Sequence, residues 1–504
     1  MPQAAFNLNL TPKSAGEMPA AVSTGAGPRG AGLARSASAA LLAGAAAAAL
    51  TACATVPRLG PAPEPKPATA YATRESFTAP ATEWPDDHWW TSYGDPQLDR
   101  LIDEALVGSP DLVQAETRVR GAQAIAEQTN SALLPHLTVG GTVQGLKQSY
   151  NEGIPPELVP HGWRGWGVVG AGFDWQIDFF GRNRALLAAA TSETEARRAE
   201  AAEARLALST AIAGAYADLA QLYAERDAAM AAVRVRSESE ALIDARFDRG
   251  LETDAARERA HSARAAAEEE LAALDEAIGL GRNSIAVLMG EGPDRGLAIA
   301  RPAPGAIRSF GLPTNLPADL VGRRPDVVAA RLMAEAAKKR ITAAKADFYP
   351  NVNLVALAGA SSLGLDMLTK SGSNFGGVGP AVTLPIFSAG RIEGAYRGAR
   401  ADYDTAVAAY DSTLVRALGE VADSAVSAKA LAARLAKSRE ALAAADRAYD
   451  LSRQSYARGL GTYLDVLSAE DALITQRRDV ANLEARGFVL DVALIRALGG
   501  GYRA

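Results

Sequence analysis

The sequence predicts a mainly α protein with a membrane β-barrel portion, in which one unit of long coiled-coil helices and a β-hairpin occurs twice. Three observations predict it. Glycine, proline and arginine anchors recur in the same order in two halves of the chain. Stretches of two-residue alternation appear in each half between helical runs. The composition is alanine-rich, with 22% charged and only 6% aromatic residues. That mixture suits long, closely packed helices rather than a compact enzyme core.

The chain has 504 residues and a net charge of −6, so its charge balance does not point to nucleic acid. Histidines 88, 136, 161 and 261 are scattered and there is a single cysteine, which excludes zinc clusters and disulfide frameworks. Residues 1–52 read as a signal peptide. Arg29 and Arg35 precede an apolar run that ends Leu50-Thr51-Ala52-Cys53. This ending resembles the bacterial lipobox, in which Cys53 becomes the lipidated N-terminus. An alanine-rich helix with an incidental cysteine is the alternative. The leader exceeds the usual ~15–30 residues, and Met18 offers a later start. Residues 53–83 follow as an N-terminal tether, where prolines 57, 61, 63, 65 and 67 exclude a helix. No later run of ~18 apolar residues appears, so a mature chain that spans a membrane must do so as a closed barrel.

The first repeat covers 84–290, a linker covers 291–316, and the second repeat covers 317–504. Trp84, Trp89 and Trp90 lead into Asp95-Pro96, where the first helix starts. Gly181-Arg182 and Gly390-Arg391, Arg249-Gly250 and Arg458-Gly459, and Gly290 and Gly499 share a spacing of 209 residues. Pro110-Asp111 with Pro325-Asp326, and Leu134-Pro135 with Tyr349-Pro350, share a spacing of 215. The register change falls where alternation sets in. Strands are expected at about 136–146 and 167–178, and again at 351–359 and 377–387, near the ~9–11 residues that cross a bilayer. Trp163, Trp166, Trp175, Phe179 and Phe387 lie near strand ends, as in aromatic girdles. A soluble sheet with one buried face would show the same alternation.

Residues 182–249 fit one helix of roughly 100 Å, matched end to end by 110–134 and 253–289. The second copy repeats this with 391–458 against 325–348 and 462–498. Leu271, Leu274, Ile278, Ile285 and Leu288 keep a heptad spacing, as do Val480, Leu483, Leu490 and Leu494. Tight turns at Arg249-Gly250-Leu251 and Arg458-Gly459-Leu460 divide each pair of long helices.

Four strands cannot close a membrane barrel, whose smallest forms have about eight, so copies must associate. Several motifs in this framework resemble the outer-membrane efflux family typified by TolC. They are Asp95-Pro96-x-Leu98, Arg324-Pro325-Asp326, Phe348-Tyr349-Pro350, Leu384-Pro385-Ile386-Phe387, Gly459-x-x-Thr462-Tyr463-Leu464-Asp465 and the closing Gly499-Gly500-Gly501. The likeness is greatest to the family's lipoprotein branch of the NodT type, which serves RND pumps. The resemblance implies a homotrimer with a 12-strand barrel in the outer-membrane lipid and a 12-helix periplasmic tunnel. It further implies a periplasmic adaptor protein and an inner-membrane RND-type transporter as partners, with no cofactor and no chemistry. Nucleophile-elbow, Walker A and zincin motifs are absent.

The resemblance also assigns roles at the tunnel tip. Asp465 sits where family acids narrow the opening, and Tyr456 where a tyrosine joins links that hold it shut. A helix N-terminal carboxylate is the other reading of Asp465. Arg249, Gly250, Leu251, Arg458, Gly459 and Leu460 are the expected adaptor-docking tips. The first-copy positions matching Tyr456 and Asp465 are Phe247 and Ala256, so a gate of these groups is carried by the second hairpin, leaving the first a mainly structural or docking role. A protein-secretion duct and a periplasmic coiled-coil scaffold are the competing functions.

Overall fold

The computed structural model describes residues 56–151, 155–303, 310–314 and 316–504. The expected signal and Cys53 lie outside them. The first half comprises α1 (Pro96–Gly108), α2 (Pro110–Ser131), β1 (His136–Leu146), β2 (Arg164–Ile177), α3 (Arg182–Phe247) and α4 (Asp254–Leu288). The second comprises α5 (Leu316–Arg323), α6 (Pro325–Ala346), β3 (Asn351–Leu363), β4 (Asn374–Thr383), α7 (Arg391–Ala457) and α8 (Tyr463–Leu498). The order is the same in both halves.

Helices α3 and α7 run for 66 and 67 residues without a proline. Their alanine, leucine, arginine and glutamate content favours the helix throughout. Helices α2 and α4 pack on one side of α3, while α6 and α8 fill the space between α3 and α7. Small residues allow close approach: Ala199 of α3 packs on Val328 and Ala329 of α6. Of the heptad residues, Ile278, Ile285, Val480, Leu483 and Leu494 are buried, and the rest are partly buried. Among the described residues no helix is long and apolar enough to cross a membrane.

The four strands form one antiparallel sheet in the order β1-β2-β3-β4. Its register places Leu137, Phe173, Ala356 and Val378 in one row, hence on one face. Among the described residues nothing covers that face at the edges: Leu137, Val139, Val378 and Val382 are 71%, 77%, 78% and 63% exposed. A soluble sheet would bury one face, and β1 and β4 bury neither.

Strand limits differ from expectation in four places, one of them the start of β4 at Asn374 rather than 377. β2 starts at Arg164. β3 continues to Leu363 because Ser361 and Ser362 stay in the ladder opposite Val168 and Gly167. β4 ends at Thr383 rather than 387, since Pro385 has no N–H to donate and Ala389, at φ 49°, turns the chain into α7.

The proline-rich segment lies along α7. Arg400 donates to the carbonyls of Gly60 and Pro61, Tyr403 to that of Pro63, and the Lys66 amide to Asp411. Farther on, Trp89, Trp90 and Tyr93 are buried against Tyr216 and Phe488. Asp95 caps α1 by accepting from the Gln97 amide at 2.9 Å. It also accepts from the Tyr216 hydroxyl at 2.6 Å and the Ala303 amide at 3.1 Å, tying α1 to α3. At the other terminus Gly499 has φ 91°, and a Cβ there would sit 2.0 Å from the Arg323 carbonyl oxygen, so only glycine fits.

Candidate functional site

The two hairpin turns have the same local build, as their shared Arg-Gly-Leu predicts. At the end of α3, Gly250 adopts φ 72°, and Leu251 N–H donates back to the Arg246 carbonyl at 2.9 Å. At the end of α7, Gly459 adopts φ 77°, and Leu460 N–H donates to the Ser455 carbonyl at 2.9 Å. This left-handed glycine ending satisfies carbonyls that the helix leaves free. Each returning helix is then capped by a threonine: Thr253 accepts from the Ala256 amide, and Thr462 from that of Asp465. All six predicted docking residues are exposed, Leu251 at 60% and Leu460 at 80%.

Asp465 completes a capping box. Its Oδ2 accepts from the Thr462 amide at 2.9 Å and the Thr462 hydroxyl at 2.7 Å. Those two bonds hold its carboxyl below the usual range, so it is ionised at neutral pH. The carboxylate is fully exposed, one oxygen engaged by the cap.

Tyr456 is buried, and its partners are in the other hairpin. The hydroxyl donates to Glu252 Oε1 at 2.5 Å. Arg246 places its guanidinium carbon 4.5 Å from the ring centroid and donates to the Tyr456 carbonyl at 3.3 Å. Arg246 Nε also lies 3.9 Å from Glu252 Oε1. Burial, followed by the Glu252 hydrogen bond, pushes the Tyr456 hydroxyl far above its ordinary value, so it stays a donor. A shared core of Ile243, Ala256, Tyr449, Tyr463, Val466 and Leu473 surrounds this lock.

The expectation left the first hairpin a mainly structural or docking role; the structure adds that this hairpin supplies Arg246 and Glu252 as partners of Tyr456. Sequence reading missed Arg246 and Glu252, although a signal existed. Their second-copy counterparts are Ser455 and Gly461, just as Phe247 and Ala256 stand opposite Tyr456 and Asp465.

The sequence profile of the outer membrane efflux proteins matches residues 101–291 and 316–500. The chain belongs to the outer membrane efflux protein family. Over 315 residues it is 35% identical to the fusaric acid resistance protein FusA of Burkholderia cepacia, a stretch covering 61% of this chain and 59% of that protein. It is 30% identical to the toluene efflux pump outer membrane protein TtgF of Pseudomonas putida, over 82% of this chain and 85% of that one. Among solved structures, the outer membrane protein VceC of Vibrio cholerae superposes with a TM-score of 0.79 at 42% identity. That match covers 83% of this chain and all of VceC. As a member of this family, the chain is an efflux channel component with the mainly helical, two-repeat channel fold.

Proposed function

We propose that three copies of this chain form the outer-membrane exit duct of a tripartite efflux system for small toxic compounds. The observation that carries this reading is the unfinished sheet. Among the described residues β1 and β4 each leave one edge unpaired, and an apolar face of the sheet is left uncovered. Open edges are not tolerated in lipid, so neighbouring copies must complete the ladder. The helical layer is likewise open at both ends, at α2/α4 and at α7, where Leu280, Val287, Val426 and Leu451 remain exposed. Three four-stranded sheets give a twelve-stranded barrel, within the range of membrane barrels.

The exposed hairpin turns would meet a periplasmic adaptor, and the transporter in the inner membrane would supply energy. The Tyr456 lock would keep the tip closed. Asp465, repeated around the threefold axis, would present carboxylates that favour cations. Detergent-extracted protein should behave as a trimer that conducts ions in planar bilayers; a stable monomer without conductance would remove the duct reading.

The bound proline-rich segment supports a lipid anchor at Cys53. Gly60 contacts Arg400, nine residues or about 14 Å below the start of α7. Six residues lie between Cys53 and Gly60, so no more than about 24 Å of chain separates the cysteine from that contact. Labelled fatty acid should therefore enter the wild type and be lost in Cys53→Ser. Label retained in that variant would refute the anchor.

A further inference from the structure

Above the Tyr456 lock, a second contact between the hairpins involves groups that the proposed function leaves unused. Glu470 of α8 is wholly buried. Its Oε2 accepts from the Ser239 hydroxyl of α3 at 2.9 Å, while its Oε1 has no hydrogen-bond partner. Arg236 Nε of α3, also without a hydrogen-bond partner, stands 3.6 Å from that oxygen. The rest of the Arg236 head is committed elsewhere, to Asp471 at 2.8 Å and to the Ala263 carbonyl of α4 at 3.0 Å. A cavity of about 210 Å³, lined in part by Ser239, Tyr449, Tyr456 and Tyr463, adjoins these groups between the hairpins.

We propose that protonated Glu470 fastens the two hairpins together, so that acid tightens the tip and ionisation of Glu470 loosens it. The inference rests on reading the paired hairpins as the moving part of the duct. An ionised carboxylate in this position is under-solvated, because Arg236 spends its well-aligned donors on Asp471 and Ala263. A neutral carboxyl carries a much smaller penalty, and its O–H has the Ser239 hydroxyl oxygen within reach as an acceptor. Protonation also strands no cation, since Arg236 keeps Asp471.

The remaining charges nearby do not substitute for it. From α3, Glu240 is held below its ordinary value by burial outweighed by hydrogen bonds from His261 and Arg264 of α4. From α7 and α8, Tyr449 and Tyr463 are both raised by burial and by the Glu470 charge, and Arg453 faces Tyr449. The sign follows from linkage. Burial raises the Glu470 carboxyl, with Ser239 and Arg236 offsetting part of the effect. Hairpins that part return it to water and to its ordinary value. The closed tip then holds more protons than the open one. Its advantage is full at acid pH and fades as pH rises through the raised value, by at most about tenfold per pH unit for one group.

The test is hydrogen exchange at the tip amides of the detergent-extracted protein between about pH 5 and pH 8, corrected for intrinsic rates. Protection should rise several-fold on acidification in the wild type and be high and flat in Glu470→Gln. Ser239→Ala, which removes a donor to the ionised form, should move the profile to higher pH. A wild-type profile that is flat or falls on acidification overturns the proposal. A slope that survives Glu470→Gln also overturns it, placing the titration on another group such as His261. If Glu470→Gln does not assemble, an unshifted Ser239→Ala profile overturns it equally. No conductance is needed, so failure of the duct reading and failure of this one are separate results.

Discussion

Tyr456→Phe should raise the open probability of the reconstituted channel more than tenfold. The substitution keeps the ring, its contact with Arg246 and its place in the core, and removes only the hydroxyl that reaches Glu252. A hydrogen bond to a charged group contributes about 1.5–3 kcal/mol, which exceeds a factor of ten in a two-state ratio. Glu252 would be left largely buried, with Arg246 at 3.9 Å as its nearest cation. Glu252→Gln, which weakens the same bond from the other side, should act in the same direction. The double variant should add little, because both changes break one contact. Asp465→Ala gives a contrasting result. It removes an exposed carboxylate and a helix cap rather than a tie between hairpins, so it should reduce cation preference more than it changes gating. Single-channel recording checks all four. Wild-type open probability in both single variants at the lock would show that the hairpins are held together elsewhere.

Arg324→Ala should cost about 3–5 kcal/mol of stability, the typical result of removing one member of a buried charge pair. The guanidinium is 7% exposed and grips both oxygens of Asp326, at 3.0 and 2.7 Å. It also reaches Glu420 at 2.6 Å and the Ala497 carbonyl at 3.2 Å, joining α6 to α7 and to the end of α8. Without it, Asp326 and Glu420 face Glu203 on α3 with less compensation. Burial, then the Asp326 charge, already raises Glu203 to about 7. A raised carboxyl contributes stability at acid pH that is lost as pH passes its folded value, so the wild-type joint should weaken above neutrality. In Arg324→Ala that loss should begin at lower stability. Arg324→Lys, with charge but no planar fork, should fall between. Thermal melting of the extracted protein decides the matter. A melting midpoint equal to the wild type's in Arg324→Ala would show that the joint is held by apolar packing alone.

Much of this architecture was legible in the sequence for a physical reason. Glycine at a left-handed turn and proline at a helix start have few substitutes, so the repeat survives in Gly250 and Gly459, and in Pro110 and Pro325. Helices without an internal proline declared their lengths directly. The strands were located by alternation, but their ends were not, because a ladder partner carries Ser361 and Ser362 beyond the point where local preference ends. The capping role of Asp465 was legible too, since Thr462-x-x-Asp465 is a local pattern. The lock was not. Tyr456 and Glu252 lie 204 residues apart, and no helical or strand periodicity connects positions on different hairpins. Arg236 and Glu470 escaped for the same reason. On their own helices they look like ordinary solvated charges, and only the packing of α3 against α8 buries them.

The unpaired edges of β1 and β4 are expected to pair with neighbouring copies of the chain. The most direct measurement is the mass of the detergent-extracted complex, recorded with a cysteine placed on each edge strand. The expected result is a complex of three chains in which oxidation links β1 of one copy to β4 of the next, giving a ladder that stops at trimer. A monomer with free edge cysteines, or cross-links that form only within one chain, would contradict it.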